Sequence, residues 1–381
     1  MVTKITIVDL ERYFYGGYSD PRVAEFLKEA GAITSILGLG VYNPVYGAFA
    51  WAQLNQEANL FGALPKAVWE RTGIRVITSR GAPLGTGGIA ETDNIPGPIR
   101  PTVTVIRPSP KIVAHSFEVS EVVQLLATQS TDDVWGSVEQ LRVYFAREHA
   151  EHINAMLGAK LVPGYNAGNN MESIDHVVSG YSEASIREGN QEIGSAVDIY
   201  GIDRHTAPSW ADSIVNHNNG TARDLTDELI RETLQKARLM GANTNVIFTG
   251  YDTYAKIQGL YINFLRYQPM SETKVQFGVN GIMTAEGIDA GIHVASLYGI
   301  PLIPSKNIPA DVISRIYFLD TTDPEGFGQP RLGIRILAPT QYFETRDPFV
   351  AGGFKVKGVY RTIGELVCAR FNAQAKIRDL R

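Results

Sequence analysis

Apolar and polar positions along this chain change their period several times, and each change marks an element. Ile74, Val76 and Thr78 alternate with polar neighbours, the two-residue period of a strand. Val103 and Val105 repeat that alternation within Thr102 to Arg107. Between them lies RGAPLGTGGIAETDNIPGPIRP, residues 80–101, dense in Gly and Pro. Two strands around so long a turn-rich segment predict an extended hairpin that projects from the body. Another strand is expected from Ile112 to Val119. The period then turns helical. Val134, Val138, Leu141, Phe145, Ile153 and Leu157 form a stripe that predicts a long spine helix over 131–158. Ser130 or Thr131 caps it, with Asp132 and Asp133 at its positive end.

Ahead of the hairpin, Pro21 opens a short helix to Lys28, and Asn55 to Trp69 predicts another, interrupted at Pro65. Beyond the spine, Ser173 to Ser179 and Ser195 to Tyr200 read as strands in a Gly- and Asn-rich stretch. Ala222 to Met240 reads as a helix, with Asp224, Asp227 and Glu228 early and Lys236 and Arg238 late. A strand (Asn245 to Thr249) and a helix (Tyr251 to Tyr261) complete a compact α/β lobe, with a tight hairpin at Asn280-Gly281. Further strands are expected at Arg315–Asp320, Leu332–Leu337, Tyr360–Thr362, Glu365–Arg370 and Ala373–Ile377, the last three returning beside the spine helix. The class is α+β.

Composition narrows what such a fold can do. Charged residues make up 20% of the chain, below the roughly 25% of ordinary soluble domains. No charge falls between Ala30 and Gln56, nor in 81–90. The first run is long enough to span a bilayer, but its glycines, Asn43, Pro44 and amides argue for burial against protein instead. A net charge of −5 offers no broad cationic surface for nucleic acid. Cys368 stands alone, so no internal disulfide or cysteine-ligated zinc is expected. The N-terminus lacks the apolar stretch of a signal peptide.

Catalytic patterns are incomplete. GAPLGTGG at 81–88 has the glycines of a phosphate loop but neither its Lys nor a following helix, and GYSEA at 180–184 lacks the closing Gly of a nucleophile elbow. In REHAEH, His149 and His152 share a helix face with Glu148 and Glu151 and could hold a metal, yet no second Glu/His motif exists. A solvated helix face is the favoured reading there. Asn219-Gly220-Thr221 reads as a turn. No catalytic residue, cofactor or metal site is assigned.

The order of elements resembles the major capsid proteins of tailed phages and archaeal tailed viruses, the Hong Kong 97-type shell fold. The resemblance rests on the hairpin at 74–110, on TDDVWGSVEQLRVYFAREHAEHINAML, on NLFGALPKAVWERTGIRV at 59–76, and on VYRTIGELVCARFNAQAKIRDL at 359–380. It implies an N-terminal arm at 1–72 and an extended loop at 73–119. It further implies a peripheral domain at 120–222 and 339–381 and an axial domain at 223–338. The implied function is structural: hexamers and pentamers tile an icosahedral virion shell around double-stranded DNA, without sequence-specific binding and without a membrane. Copies of itself are the main partners, with scaffolding, portal and decoration proteins as further ones, and synthesis takes place in the host cytoplasm. Arm and loop residues Tyr42, Tyr46, Phe49, Trp51, Arg80, Leu84, Ile89, Ile95 and Arg100 are the implied contacts between subunits.

Some family members weld subunits through a Lys on the extended loop. No Lys occurs here between Lys66 and Lys111, so an uncross-linked shell is expected. The short arm leaves little room for a fused scaffold. Two alternatives stay open: an encapsulin-type compartment with the same shell fold, and a monomeric α/β enzyme with a mobile lid at 80–101.

Overall fold

The computed structural model describes residues 57–70, 73–81, 91, 100–129, 138–265, 295–326 and 328–381. The expected helix from Pro21, the spine-helix caps at 130–133 and the tight hairpin at Asn280-Gly281 lie outside these residues.

Helix α1 (Asn59–Ala63) gives way at Pro65 to strand β1 (Lys66–Val68), where the sequence predicts helix through to Trp69. Proline cannot continue a helix, because it lacks the N–H and its ring meets the preceding turn. Carbonyls left open by the helix end accept from the Lys66 ammonium, at 2.7 Å from Phe61 O and 3.4 Å from Gly62 O. Burial there lowers the Lys66 pKa to about 8. At the other end no side chain of the cap residue serves the open amides. Asn154 does so instead, its Oδ1 accepting from Leu60 N at 2.8 Å and Phe61 N at 3.1 Å.

Strands β2 (Ile74–Ser79) and β3 (Thr102–Ile106) pair antiparallel, Ile74 opposite Ile106, as the alternation predicts. They lead into β4 (Lys111–Ser120), a separate helix α2 (Glu121–Gln129) and the spine α3 (Val138–Leu157). Helix α4 (Ile174–Val177) and a 3-10 turn at Gly194–Val197 stand where strands are expected. Ile174, Val177 and Val178 are all buried, and a short run covered on every side has no period to separate strand from helix. Next come α5 (Tyr181–Ala184), the small hairpin β5 (Arg187–Glu188) and β6 (Gln191–Glu192), then β7 (Ile214–Asn216).

Thr226 caps α6 (Asp227–Leu239), its side chain accepting from Leu229 N at 3.3 Å. The chain continues through β8 (Val246–Thr249), α7 (Tyr251–Leu265), β9 (Ala295–Leu297), β10 (Ile300–Pro304) and β11 (Ile316–Leu319). Strand β12 (Leu332–Thr345), a one-turn helix α8 (Pro348–Ala351), β13 (Lys355–Cys368), a 3-10 turn at Phe371–Ala373 and β14 (Ala375–Ile377) close it. Strands β12 and β13 run 14 residues each, much longer than the fragments expected at 332–337, 360–362 and 365–370.

Four strands are ordered β1-β12-β13-β4, and six are ordered β7-β14-β11-β8-β10-β9. The last strand, expected beside the spine helix, lies instead inside the six-stranded sheet. There it runs antiparallel to β11 and parallel to β7. This sheet is covered on both faces, as alternation along a strand requires. Phe248, Tyr317 and Leu319 enter one cluster with Leu60, Ile153 and Leu366, while Ile247, Ile316 and Phe318 enter another with the α6 residues Ile230 and Leu234.

Two compact units emerge: Ala114–His149 with Tyr342–Tyr360, and Gln56–Val113 with Ala150–Gln341 and Arg361–Arg381. Within the first, Phe117, Val123, Leu141, Val356 and Tyr360 build a core. Phe117 stacks on Phe145 at 4.9 Å, and the Tyr360 hydroxyl donates to Arg142 O at 2.8 Å. No described helix is long and apolar enough to cross a membrane.

Candidate assembly surfaces

The hairpin β2–β3 is anchored at its base and exposed towards its tip. Ile106 is fully buried, with Ile74 and Val76 packed against the same cluster. Further out, Ile77, Val103 and Val105 are exposed. Among the described residues no third strand joins this pair, and an isolated two-stranded ribbon is marginally stable in water. Apolar side chains kept on such a ribbon mark a surface that another element covers. Arg80 and Arg100 are both exposed at the mouth of the loop. Gly81, at φ +84°, passes so close to Arg100 that a Cβ would lie 2.0 Å from its carbonyl oxygen. Of the other contacts implied by resemblance, Tyr42, Tyr46, Phe49, Trp51, Leu84, Ile89 and Ile95 lie outside the described residues.

A second surface is absent from that expected set. The turn between β12 and β13 carries Phe349, 96% exposed, with Val350 and Phe354 at 69% and 77%. The turn is well held. Asp347 accepts from Phe349 N at 2.9 Å, Pro348 opens the helical turn, and Gly352 closes it at φ +74°. Ala351 is buried, Phe354 O accepts from Glu121 N at 3.1 Å, and Lys355 pairs with Glu118 at 2.6 Å. Three large apolar groups are thus presented to solvent on a fixed frame. The signal was available in DPFVAGGF, where Phe and Val fill a turn that Asp-Pro and Gly-Gly would ordinarily leave polar.

The charged groups behave in the opposite way, gathering inside. Asp175 is fully buried and accepts from Arg315 Nη1 at 2.6 Å, Leu161 N at 2.7 Å, Tyr317 OH at 2.8 Å and Lys376 Nζ at 2.9 Å. Lys376 also lies 2.7 Å from Glu183, which accepts from Arg378 at 2.8 Å. Glu188 joins Arg315 and Arg378, and Asp311 joins Arg315 and Lys160. Burial alone would raise the Asp175 carboxyl, but the Arg315 and Lys376 charges hold it far below the ordinary range. Burial likewise opposes the Arg315 charge, and the Asp175 and Asp311 carboxylates push its pKa well above the ordinary value. Asp175, Glu183, Arg315, Lys376 and Arg378 are closed off from solvent and matched in charge, while Glu188, Asp311 and Lys160 at the edge keep partial exposure, so the centre of the cluster ties distant segments together.

His149 is 1% exposed, which corrects the solvated-face reading of REHAEH. Its ring lies edge-on to His115 at 6.3 Å and over Tyr360 at 6.0 Å, while His152 is exposed. Helical period places both on one side, but the unit's aromatic core covers only the first. Asp198, Asp203 and His205 approach closely enough for a metal. Their oxygens are already engaged by Arg204 N, His205 and Thr206 in a local turn, so the group assigns no metal.

Residues 155–320, which hold the four acids of the cluster and its Arg315, match the family model described as SU10 major capsid protein. Among solved structures the chain is similar to the cyanophage A-1(L) capsid asymmetric unit, at 16% identity over 87% of this chain and 95% of that one, with TM-score 0.57. It is also similar to the capsid of a native GTA particle, at 16% identity over 91% and 99%, with TM-score 0.53. The Microbacterium phage Oxtober96 chain matches at 11% identity over 87% and 94%, with TM-score 0.50. None of the curated proteins matches the chain. The architecture is the Hong Kong 97-type capsid fold. The family model adds a match over 155–320, less than half of the chain.

Proposed function

We propose that this protein is the repeating subunit of a virion shell, associating with copies of itself into hexamers and pentamers of an icosahedral capsid that encloses double-stranded DNA. The family match across 155–320 carries the reading. The exposed apolar groups on the β2–β3 ribbon and on the turn between β12 and β13 support it, since a closed lattice is what would cover them. In this reading residues 1–72 are the arm, 73–119 the extended loop, 120–222 and 339–381 the peripheral part, and 223–338 the axial part. The named arm and loop residues, together with Phe349, Val350 and Phe354, contact neighbouring subunits. The protein's work is mechanical. A net charge of −5 suits a wall that contains DNA without gripping it. Scaffolding, portal and decoration proteins are the partners such a shell would engage.

Electron microscopy of the purified full chain tests this directly. Closed shells or hexamer tubes are expected. A stable monomer of 41.7 kDa that forms no higher assembly at any concentration would overturn it. Shells from infected cells should contain DNA, and a protein cargo in its place would point to a compartment.

A further inference from the structure

We propose that residues 374–380 are a late-made clasp that finishes the larger unit and so delays assembly until that unit is closed; the assembly half of this rests on the shell reading above. The geometry is unusual for a segment so far along the chain. Strand β14 sits between β7 and β11, with Ile377 opposite Ile316 on one side and Ile214 opposite Ala375 on the other. Without it β7 has no partner in the sheet and β11 becomes an open edge. Ala375, Lys376, Ile377 and Leu380 are fully buried, so the segment belongs to the core.

The same residues complete the charge balance inside. Lys376 and Arg378 are the two cations at Glu183, and Lys376 is the second cation at Asp175 beside Arg315. Until they arrive, Glu183 has neither cation, and burying it unpaired is strongly unfavourable. Neighbouring segments are tied to the clasp as well. Gln374 accepts from Asp320 N at 3.0 Å and donates to Asp320 O at 3.1 Å. Asp379 accepts from Asn218 N at 2.8 Å and Gly220 N at 3.0 Å, and Leu380 O accepts from Ile313 N at 3.1 Å.

All the partners in this arrangement, from Lys160 to Asp320, are synthesised first. The unit therefore waits, with its acids hydrated and its sheet split, until residues 374–380 emerge. A chain in that state lacks the rigid body that a lattice contact needs. Order of synthesis thus becomes a check on assembly, independent of any partner protein.

The test uses full chains stalled on the ribosome, with either a short linker that keeps 374–381 in the exit tunnel or a long one that releases them. Limited proteolysis of residues 160–320 is the readout. Because cleavage tracks the open population, it should fall roughly tenfold or more on release. Equal protection with both linkers, or equal cleavage with both, would overturn the clasp. In the free full-length protein, Lys376→Met keeps the strand's backbone pairing while removing the shared cation. Cleavage in 160–320 should rise and the assembled fraction fall, with Lys376→Met/Glu183→Gln restoring part of both; unchanged cleavage in Lys376→Met would also overturn it. Release-dependent protection in a protein that never assembles would sink the shell reading and leave the clasp standing.

Discussion

Glu365 is a buried acid that, among the described residues, has no cation in its hydrogen-bonded shell. Its Oε1 accepts from Glu172 N at 2.7 Å and Leu366 N at 2.8 Å. Burial raises its pKa from the ordinary 4.5 to about 8, the Glu172 carboxylate adding to the rise and Lys111 opposing it. The folded protein therefore holds a proton that the unfolded chain releases. Between about pH 4.5 and 8 the native state binds more protons, so this group's stabilisation is complete at the acid end and is lost as pH rises to 8. The decline cannot exceed ~1.4 kcal/mol per pH unit. Glu365→Gln mimics the protonated form and should remove it: denaturant midpoints of variant and parent should agree near pH 5 and diverge by pH 8, the variant being more stable. Parallel curves across that range would refute the assignment. The sequence shows Glu365 in a strand but not its covering, because its neighbour Glu172 lies 193 positions away. Asp175 is hidden for the same reason, being 140 positions from Arg315 and 201 from Lys376. Local spacing cannot reveal partners that only tertiary folding joins.

At the scale of elements, legibility follows from how each one is covered. The β2–β3 hairpin shows the two-residue period of a strand, although Val103 and Val105 fall on its exposed side with Ile77, and α6 has a polar face and a cap, so both are readable as elements. Strands β12 and β13 are not, because Pro339, Gly358 and Gly364 look like breaks. The two glycines are packing features. A Cβ at Gly358 would sit 2.6 Å from the Phe117 ring, and one at Gly364 would sit 2.7 Å from Arg335 O. Gly81 makes a comparable demand on the hairpin, with a positive φ added. Gly81→Ala should therefore open the mouth of the loop while leaving the body intact. Hydrogen exchange should accelerate over residues 74–79 and 102–106, with the global unfolding midpoint unchanged. A parent-like exchange pattern in the hairpin would count against this. If the loop contacts neighbours, assembly yield should fall in step with the exchange rate.

The whole molecule distributes charge and apolar surface against the usual habit. Its 20% of charged residues is already low, and several of them, among them Asp175, Glu183, Arg204, Arg315, Lys376 and Arg378, are withdrawn from the surface. Large apolar groups meanwhile stay outside, on the β2–β3 ribbon and the turn between β12 and β13, where water would ordinarily select against them. The deficit noticed in the sequence at 30–56 and 81–90 is thus joined by the Phe349–Phe354 turn, whose exposure the fold establishes. Because these side chains make so little contact within the chain, their removal separates folding from association. Phe349→Ser/Phe354→Ser should leave circular dichroism and the unfolding midpoint as in the parent, since exposed substitutions cost little. Covering a phenylalanine in a lattice contact is worth roughly 1.5–3 kcal/mol, and each 1.4 kcal/mol is about tenfold in an equilibrium. The concentration needed for assembly, read by light scattering and sedimentation, should then rise at least about tenfold for the double variant. Assembly at the parent concentration would remove this turn from the contact surface and leave the hairpin and arm to supply it.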